Sequence, residues 1–159
     1  MQRISGQFVD VFEKRIFPAT VAIEDGRIRE ITDISTPGRG VYSADEVSEG
    51  YILPGFVDAH VHIESSMLVP AQFARMAVVH GTVATVSDPH EIANVCGIEG
   101  VNYMIANGNT VPFKFNFGAP SCVPATTFET AGAAIAANEV ARLLEMEQVK
   151  YLSEMMNFP

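Results

Sequence analysis

The sequence has little of what marks a membrane-bound or disulfide-bonded protein. It has no tryptophan, only two cysteines, and no run of about 18 apolar residues, which a membrane-spanning helix needs. The N-terminus lacks a basic region followed by an apolar run, so no signal peptide is expected and the predicted location is the cytoplasm. Cys96 and Cys122 lie outside any CxxC spacing, and we expect free thiols that define no site.

Basic residues are also scarce. Ten Lys and Arg stand against 19 Asp and Glu, giving a net charge of −9, which disfavours binding to nucleic acid. There is no glycine-rich phosphate loop. Because 48% of the residues are hydrophobic and only 18% are charged, a packed core and a small or neutral partner are expected rather than disorder.

The chain changes character near residue 50. Residues 4–34 alternate as strands, with Asp25-Gly26 as a tight turn, and predict a small antiparallel sheet. Residues 35–50 are rich in Gly, Ser and Pro and predict a loop with room for one short strand. We therefore divide the chain into a β-rich segment, 1–50, and a second segment, 51–159.

The second segment alternates strands with helices. Four strands are predicted, beginning with one strand over 51–62, and three helices, the first starting near Pro70 and ending near Gly81, the second over 97–108. This order implies a parallel sheet, either doubly wound or in a barrel. Polar residues follow each strand, which favours a (β/α) barrel. A whole barrel needs about 250 residues, so we expect its first four β/α units, in the N-terminal part of a longer protein.

The stretch "GFVDAHVHIESSM" places Asp58, His60, His62 and Glu64 at every second position. Since side chains alternate across a strand, these four are predicted to share one face. His60 and His62 can aim their imidazoles at one divalent ion, with Asp58 as a supporting partner. Glu154 is a carboxylate in apolar surroundings near the end of the fourth strand, and we expect it to join them as a metal ligand.

A second polar cluster, Asp88, His90 and Glu91, is predicted on the loop after the second strand. We expect metal or substrate contacts there, although Asp88 has the alternative of capping the next helix. Glu64 and Ser65 are candidates for metal or substrate contact as well, and turn or cap chemistry explains them equally.

Two other chemistries are set aside. Nothing resembling a nucleophile elbow surrounds Ser121, so a covalent serine mechanism is not expected. The H-x-E and P-C-x-x-C pattern of the zinc nucleobase deaminases is missing, because His90 and Glu91 are adjacent and Cys122 has no second cysteine near it.

Four stretches together resemble the bacterial adenine deaminases of the amidohydrolase superfamily: "LPGFVDAHVHIESSM", "SDPHEIANVCGIEG", "PSCVPAT" and "EMMNFP". The first is widespread among amidohydrolases, and the other three are more particular to adenine deaminases. The resemblance implies the first half of a metal-dependent (β/α)8 barrel, preceded by a small β-rich segment of sandwich type. It also implies a cytoplasmic purine-salvage enzyme that hydrolyses adenine to hypoxanthine and ammonia.

The resemblance further implies a pair of divalent ions, Mn²⁺ or Fe²⁺ with Zn²⁺ as an alternative, and a metal-bound hydroxide as nucleophile. His60 and His62 match the first-strand ligands, and Glu154 matches the bridging position on the fourth strand. Asp88, His90 and Glu91 match a motif particular to the family. The general acid/base is an Asp expected downstream of Pro159, so these 159 residues alone are expected to be inactive.

Two other functions stay open. The HxH motif also fits another cyclic amidohydrolase, dihydropyrimidinase-like or dihydroorotase-like. The chain also fits a non-catalytic metal-binding half-barrel module, which would cover its open sheet edges by forming a homo-oligomer.

Overall fold

A computed structural model describes residues 1–35 and 49–156 of the chain. Most of the loop predicted over 35–50 therefore lies outside the described residues. The chain forms two compact units, Met1–Pro54 and Gly55–Pro159. In the described ranges, no helix has both the length and the apolar character needed to cross a membrane.

The first unit is a four-stranded sheet. Strands β1 to β3 pair antiparallel, and the short β4 pairs parallel with β1, giving the order β3-β2-β1-β4. Asp25 and Gly26 both have positive φ, 51° and 71°, as a two-residue hairpin turn requires. A second layer facing this sheet is not found among the described residues of the unit. The strands are β1 Gln2–Asp10, β2 Arg15–Glu24, β3 Arg27–Asp33 and β4 Tyr51–Ile52.

The single strand predicted over 51–62 is wrong. Tyr51–Ile52 belongs to the first sheet, and the next strand starts only at Phe56. Pro54 interrupts the run because it has no N–H to donate to a strand ladder. Gly55 follows where a Cβ would lie 2.5 Å from Val83 Cγ2, so only glycine fits beside that neighbouring strand.

The second unit is a parallel sheet in the order β5-β6-β7-β8, with helices between the strands. Consecutive parallel strands in sequence order are what the first half of a (β/α) barrel has, so the predicted fold class is confirmed. The strands are β5 Phe56–Val61, β6 Thr82–Ser87, β7 Lys114–Ala119 and β8 Val149–Leu152. The helices are α1 Pro70–Val78, α2 His90–Gly108, α3 Ala137–Leu144 and a short 3-10 helix, Ile63–Ser66.

The core of the second unit lies between the sheet and its helices. Phe117 of β7 and Val149 of β8 pack with Val101 of α2 and Leu143 of α3, all at most 6% exposed. Ile63 of the 3-10 helix has no exposed surface and belongs to the same cluster. The turn that follows β5 is thereby fixed to the core.

Helix α2 begins seven residues earlier than predicted. Its N-cap is Pro89, so His90 and Glu91 lie in its first turn and not on a loop. The helix bends at Gly97, whose φ of 60° and ψ of −145° are non-helical, and this break hid the first two turns from the sequence pattern. The end of α1 agrees better with the prediction, since Val78 is its last residue and Gly81 follows with φ 86°.

Candidate metal centre

Three side chains converge at the carboxyl ends of β5 and β8. His60 is the last residue but one of β5, and His62 lies one residue beyond the strand end at Val61. Their Nε2 atoms lie 3.2 Å apart. Glu154, two residues beyond β8, places its carboxylate 3.2 Å from His62 Nε2 and 3.8 Å from His60 Nε2. One ligand atom from each residue falls within 4.8 Å of the others.

Curvature of the sheet makes this contact. β5 and β8 are the two outer strands of the four, and in a flat sheet strands spaced by about 4.8 Å would separate them by roughly 14 Å. Side chains from both nevertheless touch, so the sheet curves as a barrel wall does. The predicted set His60, His62 and Glu154 is brought together at the edge where parallel strands end.

The donor set suits a divalent cation. Two imidazole nitrogens and one carboxylate oxygen are ligands that zinc, iron and manganese accept. Burial acts to lower the pKa of His62, but the carboxylates of Glu91, Asp88 and Glu154 outweigh it and raise that pKa. The site is therefore rich in negative charge, which a bound cation would offset.

Asp88 lies beside this group. It is 2% exposed, and the Ser153 hydroxyl interacts with its carboxylate. It does not cap α2, whose N-cap is Pro89, so the capping alternative finds no support. Burial raises the pKa of Asp88. A cavity of about 210 Å³ adjoins it, lined by Ala59, His60, Val86, Asp88, Tyr151 and Glu154.

Glu91, Ser65 and Glu64 lie behind His62 and not among the converging ligands. Glu91 Oε2 is 2.9 Å from His62 Nδ1, and the Ser65 hydroxyl donates to Glu91 Oε1 at 2.8 Å. Glu64 Oε1 accepts from the Ile92 N–H at 3.2 Å, and burial raises the pKa of Glu64. These residues join the 3-10 helix to the start of α2.

The prediction that four polar residues share one strand face is wrong. The strand ends at Val61 and its register is irregular between Asp58 and Val61, so the alternation does not extend to Glu64. Asp58 accepts from the backbone N–H of His60 at 3.2 Å. His90 is also apart from the group: it is buried, and the Asn94 amide donates to its Nε2 at 3.2 Å.

The amidohydrolase family model matches residues 51–158, which include every residue of the candidate site. The chain belongs to the amidohydrolase family. Its similarity extends to curated proteins named adenine deaminase. The chain is 60% identical to that of Sulfurovum sp. and 57% identical to that of Salinibacter ruber, over 98% of its length in both cases. It is 55% identical over its whole length to that of Methanosarcina barkeri. The chain spans 27% of the length of each of these relatives.

Two residues near the candidate metal centre of this amidohydrolase were missed by the sequence analysis. Tyr151 lines the small cavity, and burial, with the nearby Asp88 and Glu154 carboxylates, raises the pKa of Tyr151 to about 12. Ser153 is 7% exposed, and its hydroxyl interacts with the Asp88 carboxylate. Their place on or just after β8 was the available signal, because strand ends carry the functional groups of a barrel.

Three further observations concern residues outside the converging group. The Ser121 hydroxyl donates to the Glu154 carbonyl oxygen at 2.9 Å, a hydrogen bond that joins the loops after β7 and β8. Cys96 and Cys122 are not joined by a disulfide. A larger cavity of about 320 Å³, lined by residues of α2 and α3 and by Met146, contains none of the predicted site residues.

Proposed function

We propose that the protein is a metal-dependent adenine deaminase, which converts adenine and water to hypoxanthine and ammonia. One observation carries the proposal: His60, His62 and Glu154 converge within 4.8 Å in a chain 55–60% identical to proteins named adenine deaminase. The small purine substrate suits an acidic protein, and we propose action in the cytoplasm, in purine salvage.

In this proposal His60, His62 and Glu154 hold the metal. A bound divalent ion would supply a water nucleophile at neutral pH by lowering the pKa of water. We assign Mn²⁺ or Fe²⁺ to the site, with Zn²⁺ as the alternative, since the mixed imidazole and carboxylate set suits all three. Metal analysis of the purified protein distinguishes them.

Asp88 and Tyr151 are proposed to face the substrate. Both line the cavity beside His60 and Glu154. Because the pKa of Tyr151 is raised to about 12, its hydroxyl keeps its proton at neutral pH and can donate a hydrogen bond. The Asp88 carboxylate lines the same cavity and is suited to accept one from an N–H group of the purine.

The test uses protein expressed from its complete gene. Metal-depleted protein is reloaded with each ion, and hypoxanthine and ammonia formed from adenine are measured. Replacing an outer partner of a ligand costs about 10–100-fold, so we expect His60→Ala to lose more than about 100-fold in activity. The matched control is His80→Ala, an exposed histidine after α1, with unchanged activity. Turnover of dihydroorotate or a dihydropyrimidine, with none of adenine, would refute the proposal.

We also propose that these 159 residues alone are inactive. The support is that the chain spans 27% of its relatives' length and that the described sheet has four parallel strands. The 159-residue polypeptide, loaded with metal, should form no hypoxanthine. If it acts as an independent module, β5 and β8 need covering, and gel filtration should then show a homo-oligomer.

A further inference from the structure

Glu91 lies on the side of His62 that faces away from the converging ligands. We propose that Glu91 is a positioning residue, which holds the His62 ring so that Nε2 points at the metal. The inference rests on the proposed function, because it takes His62 to be a metal ligand.

The two nitrogens of His62 have separate surroundings. Nε2 lies 3.2 Å from Glu154 and 3.2 Å from His60 Nε2, inside the converging group. Nδ1 lies 2.9 Å from Glu91 Oε2. Both atoms of that contact are inaccessible to water, and within the described residues neither has a hydrogen bond to another group. A proton on Nδ1 directed at Glu91 leaves the Nε2 lone pair available for a metal.

Glu91 is itself held in place from the turn after β5. The Ser65 hydroxyl donates to Glu91 Oε1 at 2.8 Å, so the two carboxylate oxygens have different partners. The neighbouring residues make a second hydrogen bond between the same two segments. Glu64, just before Ser65, accepts from the N–H of Ile92, just after Glu91, at 3.2 Å. These two hydrogen bonds fasten the 3-10 helix to the first turn of α2. The Glu91 carboxylate is therefore fixed relative to His62 and not a mobile surface group.

The same contacts argue against a direct role for Glu91 in metal or substrate binding. Glu91 is not in the group of converging ligand atoms found among the described residues. It does not line the cavity that His60, Asp88 and Glu154 share. With Oε1 toward Ser65 and Oε2 toward His62, it acts on the site through His62.

The test measures Zn²⁺ affinity by chelator competition in protein expressed from its complete gene. Glu91→Ala should weaken Zn²⁺ binding about 10–100-fold, as loss of an outer partner does. Glu91→Gln keeps an acceptor oxygen and should recover part of that affinity. The matched control is Glu99→Ala, an exposed glutamate on the same helix, with unchanged affinity. With Co²⁺ in place of Zn²⁺, the visible absorption spectrum should change in Glu91→Ala and not in Glu99→Ala.

A double-mutant cycle separates positioning from general structural damage. In a His62→Ala background, Glu91→Ala should have no further effect on affinity, because its target is gone. An equal loss in both backgrounds would overturn the positioning role. If His62→Ala weakens binding but Glu91→Ala does not, positioning fails while the metal centre stands. If His62→Ala changes nothing, the proposed metal centre itself fails. Should Glu91→Ala not fold, Ser65→Ala in the same two backgrounds decides the question.

Discussion

Replacing Ile63 with alanine should cost both stability and metal affinity, because this side chain fixes the turn that carries the site. Ile63 is 0% exposed and packs in the core cluster between sheet and helices. The change removes three carbons, worth about 0.8 kcal/mol each when buried, or roughly 2.4 kcal/mol. The cavity left behind adds to this, and such substitutions cost about 2–5 kcal/mol in total. That is a large share of the 5–15 kcal/mol typical of a domain, on the order of a third.

The consequence for the site follows from the neighbours of Ile63. His62 precedes Ile63 and Glu64 follows it. If the turn relaxes into the cavity left by the substitution, the proposed ligand His62 and the hydrogen bond from Ile92 to Glu64 both move. The free energy of unfolding is measured by urea denaturation in chelator, with far-UV circular dichroism, and Zn²⁺ affinity by competition. The matched control is Ile28→Ala, an isoleucine 61% exposed on β3, expected to stay within about 0.5 kcal/mol of wild type. An Ile63→Ala loss no larger than that of the control would refute the reasoning.

Three further predictions concern charge, packing and the hairpin. Burial raises the pKa of Glu64 and of Asp88 in the folded state. The stability that these groups contribute is therefore full when the pH is below their pKa in the unfolded state, and it is lost as the pH rises through their pKa in the folded state. In chelator, the variant with Glu64→Gln and Asp88→Asn should therefore lose less stability than wild type between pH 4 and neutrality, by urea denaturation at each pH; an equal loss would contradict this. Gly118→Ala would put a Cβ 2.7 Å from Tyr151 Cε2, so it should destabilise by about 1–3 kcal/mol and weaken Zn²⁺ binding through β8; an unchanged melting temperature would oppose it. Gly26→Ala, at φ +71°, should cost about 1 kcal/mol by thermal denaturation without changing Zn²⁺ affinity, and a stabilised variant would argue against the hairpin turn.

Local pattern was enough to predict much of the fold. Alternating apolar residues, the Asp25-Gly26 turn and the strand–helix order follow from period and turn chemistry, which act over a few residues. Helix α2 shows the limit of such reasoning. A single glycine with non-helical angles divides it, and the sequence pattern lost the part before Gly97, including His90 and Glu91.

The two histidine ligands could also be predicted from the local sequence. His60 and His62 are two residues apart, and an HxH spacing at a strand end needs little tertiary information to bring two rings together. Glu154 was predicted as a carboxylate in apolar surroundings near the end of the fourth strand, but its contact with His62 depends on the curvature of the whole sheet. Curvature arises from the pairing of all four strands, so the sequence of any single strand does not predict it.

The sequence by itself determined the alternation of strands and helices, the HxH pair, and the edge of the sheet where the candidate functional residues lie. Only the tertiary structure decided which polar residues face the converging group and which support it. Glu91 turned out to lie behind His62, Glu64 to accept from Ile92, and Tyr151 to line the cavity. The physical reason is that a side chain's partner is set by the packing of segments distant in sequence, here the turn after β5 against the start of α2.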